Sequence, residues 1–435
     1  MVILGGGVCG LAASLVSRAP VYEAELLSGG AAATDRAEGF AFDRGIHILQ
    51  TKNARILKLI ADLGVEMNER SRRAFIHTHG TYTPYPFQVN TAGLPVAVRA
   101  RCVWDFLRRD RAADPGNYEE WMYSTLGRGF AETFLIPYSE KFWTVHPREM
   151  THDWTGNRVP QPTTRQVLRG ALWSKHTRIG TNVDFRYPGS GAGYGTISDA
   201  LERHAGPVHC GYRATRVDTA GRVVHFGNGA SVSYESMIST IPLPELVRIC
   251  TSVPADVRAA AAELRTNSIL VVNLGIGRRD LSEWHWAHFP EPDVSFFRIS
   301  YPHNFAGDVV PTGMSAISAE VSYSPDRPLD RESIVARVID DLIRVRALGK
   351  KDPIVYRSTR DIPYAYCIYD FKRKPAVRKV REWLQSEGII TAGRYGMWSY
   401  FWSDESMMSG IQAAERALAS AAGGDAARGL QVVAG

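Results

Sequence analysis

Val2-Ile3-Leu4-Gly5-Gly6-Gly7-Val8-Cys9-Gly10 starts the chain as a short apolar run that breaks into glycines, and Leu11 to Ala19 continues it with small and apolar residues. The order is that of a strand, a tight turn and a helix. Within it Gly5, Gly7 and Gly10 satisfy the G-x-G-x-x-G spacing. The first glycine permits the turn, the second lets a pyrophosphate approach the backbone, and the third lets helix and strand pack closely. The helix that follows offers free N–H groups and the positive end of its dipole to phosphates. Pro20-Val21-Tyr22-Glu23 then stands where a second parallel strand ends, with Glu23 placed to accept both hydroxyls of a ribose.

A second glycine pair follows in Ser28-Gly29-Gly30-Ala31-Ala32-Ala33-Thr34, and then comes Gly39-Phe40-Ala41-Phe42-Asp43-Arg44-Gly45-Ile46-His47. A nicotinamide dinucleotide has no need of a second glycine loop, whereas a flavin dinucleotide runs its diphosphate and ribityl chain along one. Late in the chain Thr391-Ala392-Gly393-Arg394 again reads as a strand ending in a turn before a helix, and it would meet the same cofactor from the other side. The expected cofactor is FAD.

Outward from this core, the 435 residues are 45% hydrophobic, 22% charged and 10% aromatic, which excludes disordered, collagenous and disulfide-scaffold classes. The formal charge of +6 is interleaved apart from short runs such as Arg70 to Arg73, so no nucleic-acid stripe stands out and a small anionic substrate accounts for the bias. Cysteines 9, 102, 210, 250 and 367 are scattered without metal-ligand spacing, so the expectations are no metal and a reduced, cytoplasmic protein. No run reaches the ~18 apolar residues of a membrane span.

From Val103 to Leu172 the pattern is amphipathic and helical, dense in Trp, Phe, Leu and Arg. Short strands return over 204–241, with Val223-Val224-His225-Phe226 as part of a hairpin, and 268–323 reads as antiparallel strands without clear helices between them. Ile389-Ile390-Thr391 and Met408 to Ala421 form a last strand and a closing helix. The expected fold is α/β. A discontinuous Rossmann-like FAD-binding domain comprises 1–80, 185–250 and 386–435; a helical domain comprises 100–180; an antiparallel β-sheet substrate domain comprises 81–99 and 251–385.

Nine stretches, in order, resemble the UDP-galactopyranose mutase family, its eukaryotic-type branch more than the bacterial one. They are Gly29 to His47, Tyr85-Pro86-Phe87-Gln88-Val89-Asn90, Leu126 to Trp143, Asn157-Arg158-Val159-Pro160, Asn182 with Phe185-Arg186-Tyr187-Pro188, Ser239-Thr240-Ile241-Pro242, Phe296-Phe297-Arg298, Tyr364-Ala365-Tyr366, and Gly393 to Tyr400. The resemblance implies an isomerase that interconverts a nucleotide-linked hexopyranose, UDP-galactose or a related sugar, with its furanose through an adduct between the sugar and N5 of reduced FAD. It implies His47 against the flavin, and Arg158, Arg298, Tyr366 and Tyr400 on the diphosphate, guanidinium forks being suited to phosphate. It implies a base pocket of Tyr85, Phe87, Gln88 and Asn182. Gly45, Val217, Arg394, Met408 and Gly410 join Gly5, Gly7, Gly10, Glu23, Gly29, Gly30 and Gly393 as cofactor contacts. Tyr138 and Trp143 are equally readable as helix-packing aromatics. NAD(P)H or a reductase would supply the electrons, and the oligomeric state stays open.

Two residues depart from that pattern: Ile46 stands where the branch has a second glycine, and His288 replaces a phosphate-binding tyrosine, a place where a protonated imidazole would serve. Two rival readings use the same residues. One is an FAD-dependent oxidase or desaturase of the amine oxidase or protoporphyrinogen oxidase type, which shares the Gly5 to Gly30 fingerprint. The other is a nucleotide-binding protein that has kept the fold and lost the flavin.

Overall fold

Val2, Ile3 and Leu4 are 3, 0 and 1% exposed because their strand lies in the middle of a five-stranded parallel sheet, covered on both faces. The computed structural model describes residues 1–112, 114–156, 158–173, 179–180, 183–190 and 193–432 of the chain. The sheet order is Ile389–Thr391, Met237–Ser239, Val2–Leu4, Val21–Tyr22 and Val208–His209, so distant chain segments assemble one Rossmann-like layer. The helix Val8–Ser17 runs from its edge. Its small residues Cys9, Ala12 and Ala13 let the closing helix Ser403–Val432 approach closely, with Ala413, Ala414 and Ala417 in the shared core.

A seven-stranded sheet forms the second layer, in the order Ile354–Cys367, Thr266–Ile276, Ser315–Tyr323, Arg298–Ser300, Trp286–His288, Ala74–Thr78 and Thr81–Pro84. Its pairs are antiparallel except that Ala74–Thr78 runs parallel to Trp286–His288. Ala74–Thr78 lies inside the stretch expected to belong to the cofactor domain, and pairing moves it to this sheet. The strand Ile354–Cys367 was not anticipated. It sits at the sheet edge and carries Arg357, Arg360 and Asp361, charges that discourage further strand pairing. Val223–Phe226 does form a hairpin, between Ala214–Asp218 and Ser231–Ser233.

The helical layer runs through Val96–Arg108, Tyr118–Leu126, Arg128–Phe130, Ile136–Trp143 and Thr164–Leu172. A π-turn over Ala131–Leu135 joins two of these helices, where Pro137 lacks the N–H that would continue regular α-helical bonding. The irregularity sits just before Tyr138 and Ser139. Lys141, 4% exposed, ties this layer to the sheet: its ammonium donates to the carbonyls of Phe289, Glu291 and Phe296, each at 2.8 Å. Lys141→Met would leave the Phe289 and Phe296 carbonyls without a donor among the described residues, and the Glu291 carbonyl with only the Val294 amide at 3.3 Å. It is expected to lower stability by about 3 kcal/mol, read as a reduced urea midpoint; an unchanged midpoint would contradict the role.

Among the described residues no helix is long and apolar enough to cross a membrane, and no cluster of His, Cys, Asp or Glu could hold a metal ion.

Candidate active site

A cavity of about 830 Å³ runs from the glycine turns of the parallel sheet to the inner wall of the helical layer. At its sheet end the first turn is packed as the sequence demands. A Cβ on Gly10 would lie 1.9 Å from the Gly5 carbonyl oxygen, so only glycine fits there. Gly7 and Gly29 bridge main chain to main chain, and a Cβ on Gly30 would come within 3.1 Å of the Gly7 Cα. The Glu23 carboxylate is fixed by the amides of Gly6 at 2.6 Å and Glu25 at 2.9 Å. Bare backbone, a helix N-terminus with no side-chain cap and an oriented carboxylate meet in one groove, which fits a dinucleotide. Gly5, Gly7, Glu23, Gly29, Gly30, Gly45, Gly393 and Arg394 all line the cavity.

Four expected cofactor contacts do not, and the first of them is Gly10, whose place is the turn-to-helix packing just described. Val217 is wholly buried in the core, and its carbonyl accepts from Thr251 N–H, so its backbone is engaged elsewhere. Tyr212, Arg213 and Ala214 line the cavity in its stead. Gly410 lies inside the closing helix, not at its start, and faces the first helix: a Cβ there would meet the Cys9 carbonyl oxygen at 2.0 Å. Met408 packs into the core cluster with Leu11 and Leu49, while Ser403 and Ser406 of the same helix reach the cavity.

His47 lines the cavity, its Nδ1 3.2 Å from the Gly45 carbonyl. Burial, helped by the charges of Arg394 and Arg298, pushes its pKa down to about 4 against the pull of that carbonyl. An unfolded histidine near 6.5 binds a proton that the folded site refuses. The stability contributed by the neutral imidazole is therefore whole above about pH 6.5 and is lost as pH falls toward 4. Wild type should lose Tm relative to His47→Gln between about pH 7 and pH 4.5. A difference that stays constant over that range would contradict the assignment.

The far wall carries the cations. The Arg158 guanidinium lies 4.6 Å from the ring centres of both Tyr400 and Trp402, and its Nη2 donates to the Tyr400 carbonyl at 2.6 Å and to Glu405 at 3.3 Å. Arg298 is not a free fork. Its Nε and Nη2 donate to the two carboxylate oxygens of Glu320, at 3.0 and 2.7 Å, and only its Nη1 edge has no partner among the described residues. Burial works against the Arg298 charge, but Glu320 together with the phenols of Tyr366 and Tyr138 more than offsets this and raises its pKa. Glu320, 1% exposed and also 3.3 Å from the Ile46 amide, was missed by sequence reasoning. Its signal was there: a lone acid within the strand Ser315–Tyr323.

Tyr366 and Tyr400 line the cavity between the two arginines, and neither phenol hydroxyl has a protein partner among the described residues. Arg394 braces them: it donates to the Phe401 carbonyl at 2.8 and 2.6 Å, and its guanidinium lies 5.3 Å from the Tyr366 ring. Of the expected base pocket, Tyr85 and Gln88 line the cavity, with Arg72 over the Tyr85 ring at 4.7 Å. Phe87 does not: it is wholly buried against Phe130 and Phe134. Asn182 lies outside the described residues, as does Asn157.

His288 lines the cavity but is not the phosphate-binding imidazolium anticipated. Burial first, and then the charges of Arg298 and Arg72, hold its pKa well below the usual value.

Residues 17–418 match the family described as flavin containing amine oxidoreductase. Among solved structures, reduced UDP-galactopyranose mutase superposes with a TM-score of 0.90 at 27% identity, covering 96% of this chain and 93% of that one. A protein from Exiguobacterium sp. 255-15, provisionally assigned as a protoporphyrinogen oxidase, superposes with a TM-score of 0.74 at 17% identity over 95% and 97% of the two chains. Coproporphyrinogen III oxidase of Bacillus subtilis (strain 168) is 19% identical over 442 residues, 90% of this chain and 93% of its own. The Exiguobacterium likeness is one of fold.

Proposed function

Because the chain belongs to the flavin containing amine oxidoreductase family and its cofactor is FAD, we propose that it is a mutase that interconverts the pyranose and furanose forms of a hexose carried on a nucleoside diphosphate, UDP-galactose or a related nucleotide sugar. One observation carries this reading: Arg158, Arg298, Tyr366 and Tyr400 line one cavity, with Arg158 4.6 Å from the Tyr400 ring and the Tyr400 ring 5.4 Å from that of Tyr366. Two guanidinium edges and two phenols without protein partners make a donor set for a diphosphate. An apolar amine would leave all of them unsatisfied at a cost, and a porphyrinogen would offer them only the carboxylates at its rim. The likeness to reduced UDP-galactopyranose mutase supports the same reading.

When bound and reduced, FAD supplies the nucleophile that takes the anomeric carbon from the diphosphate, and splitting the ring contraction this way lowers its barrier. The chain's own residues hold what leaves and returns. Arg158 and the open edge of Arg298 keep the diphosphate beside the anomeric carbon, so recapture is intramolecular in effect. Tyr366 and Tyr400 donate to the same oxygens. Tyr85 and Gln88 receive the base. No net redox change occurs, so NAD(P)H or a reductase loads the electrons once for many turnovers.

The family description and the Bacillus subtilis relative favour a second reading, an oxidase or desaturase. Dithionite-reduced protein should convert UDP-galactose, or a GDP- or dTDP-sugar, into its ring isomer without oxygen, and the oxidised protein should not. No isomer from any donor would sink the mutase reading.

A further inference from the structure

Trp286, His288 and Tyr138 line the cavity in sequence, from the sheet toward the helical layer, and their hydrogen bonds leave one proton arrangement. The Trp286 indole N–H can only donate, and it meets His288 Nε2 at 3.1 Å. Nε2 is therefore the acceptor nitrogen and carries no hydrogen. In a neutral imidazole the hydrogen then sits on Nδ1, which is 2.9 Å from the Tyr138 hydroxyl oxygen. That oxygen accepts, and the Tyr138 O–H must point elsewhere. No acceptor for it exists among the described residues.

The ring of His288 is 8% exposed and lodged between Tyr85, 5.3 Å away, and Tyr138, 5.1 Å away and edge-on, so it cannot turn to trade its nitrogens. The charged groups nearest it, Arg298 and Arg72, are cations, and they add to burial in keeping it neutral.

We propose that Tyr138 is a ligand-contacting residue, its hydroxyl hydrogen directed at an oxyanion of the bound diphosphate by the Nδ1–H tautomer of His288, which Trp286 fixes. The inference rests on the diphosphate reading of the cavity for its ligand. Tyr138 is the contact and His288 the positioning residue. A histidine thus delivers a neutral hydroxyl donor to the anion without becoming charged, which spares the site a further cation beside its arginines.

Two measurements on the FAD-loaded protein test this. The nitrogen-15 spectrum of histidine-labelled protein, with His288 assigned by the signal lost in His288→Gln, should show a neutral ring protonated at Nδ1. An imidazolium or an Nε2–H ring would overturn the relay, and this arm needs no ligand. In the second, Kd values for UDP and inorganic pyrophosphate are compared across variants. Tyr138→Phe should weaken both by about 10-fold or more, the loss of a hydrogen bond to a charged group. His288→Leu should match it, and the double variant should be no weaker than either single one. His288→Gln, whose amide offers an acceptor and a donor as the ring does, should recover most of the affinity. Tyr138→Phe with wild-type affinity, equal losses in the Leu and Gln variants, or additive losses in the double variant would overturn the proposal. Wild-type protein that binds neither UDP nor pyrophosphate would overturn the diphosphate reading and the contact with it, while the nitrogen spectrum still reads the tautomer.

Discussion

Arg298→Ala is expected to lose both stability and turnover, and the two losses are separable. The substitution leaves Glu320, 1% exposed, without the guanidinium that meets both of its carboxylate oxygens. Stranding one member of a buried ion pair costs about 3–5 kcal/mol. Turnover should also fall by about a hundredfold or more, because the Nη1 edge proposed to hold the diphosphate goes with the side chain. Adding Glu320→Gln to Arg298→Ala removes the stranded charge, so the urea midpoint should recover toward wild type while kcat/KM stays low. If the double variant regains activity along with stability, Arg298 serves only the fold. Arg298→Lys should fail as well, since an ammonium cannot pair both Glu320 oxygens and still present an edge to the cavity.

Gly10→Ala is expected to give colourless protein. A Cβ at this position would sit 1.9 Å from the Gly5 carbonyl oxygen and 3.4 Å from Ile3, within the turn that must stay bare for the pyrophosphate. Relieving that contact pushes the first helix off the sheet, and overpacking of this kind costs about 1–3 kcal/mol before any effect on the cofactor. Gly307→Ala, which meets nothing within 4 Å, is the control and should stay yellow. Flavin absorbance per protein measures both. A Gly10→Ala variant with full FAD content would show that the groove is not the dinucleotide site.

The glycine turns were legible because close backbone contact forces a residue type: Gly5, Gly7, Gly10, Gly29 and Gly30 have local reasons to be glycine that spacing alone displays. The α/β class followed from the same residues. What the sequence hid were pairings across the chain. Glu320 and Arg298 sit on neighbouring strands, and nothing local to either shows that one edge of the guanidinium is already taken. His288 read as a cation because it stands where the resembling branch has a phosphate-binding tyrosine, whereas its burial and the indole N–H of Trp286 on Nε2 favour the neutral ring. Phe87 has the residue type of a base-stacking platform but turns into the helical core, a matter of a one-residue difference from Gln88 in a tight 3-10 turn. Gly410 looked like a cofactor turn because a glycine required by helix packing and one required by a ligand look alike along the chain. The edge strand Ile354–Cys367 escaped notice because its alternation is between half-exposed and exposed, with charges where a buried strand would show branched apolar residues.

The test that bears most directly on the central claim sets the two chemistries of this fold against each other in one preparation. FAD-loaded protein is given UDP-galactose after anaerobic reduction, and coproporphyrinogen III or protoporphyrinogen in air, with ring isomer, porphyrin and oxygen uptake measured. The mutase reading predicts furanose from the reduced protein and neither porphyrin nor substrate-dependent oxygen uptake from the oxidised one; porphyrin formation coupled to oxygen uptake, with no furanose, would contradict it.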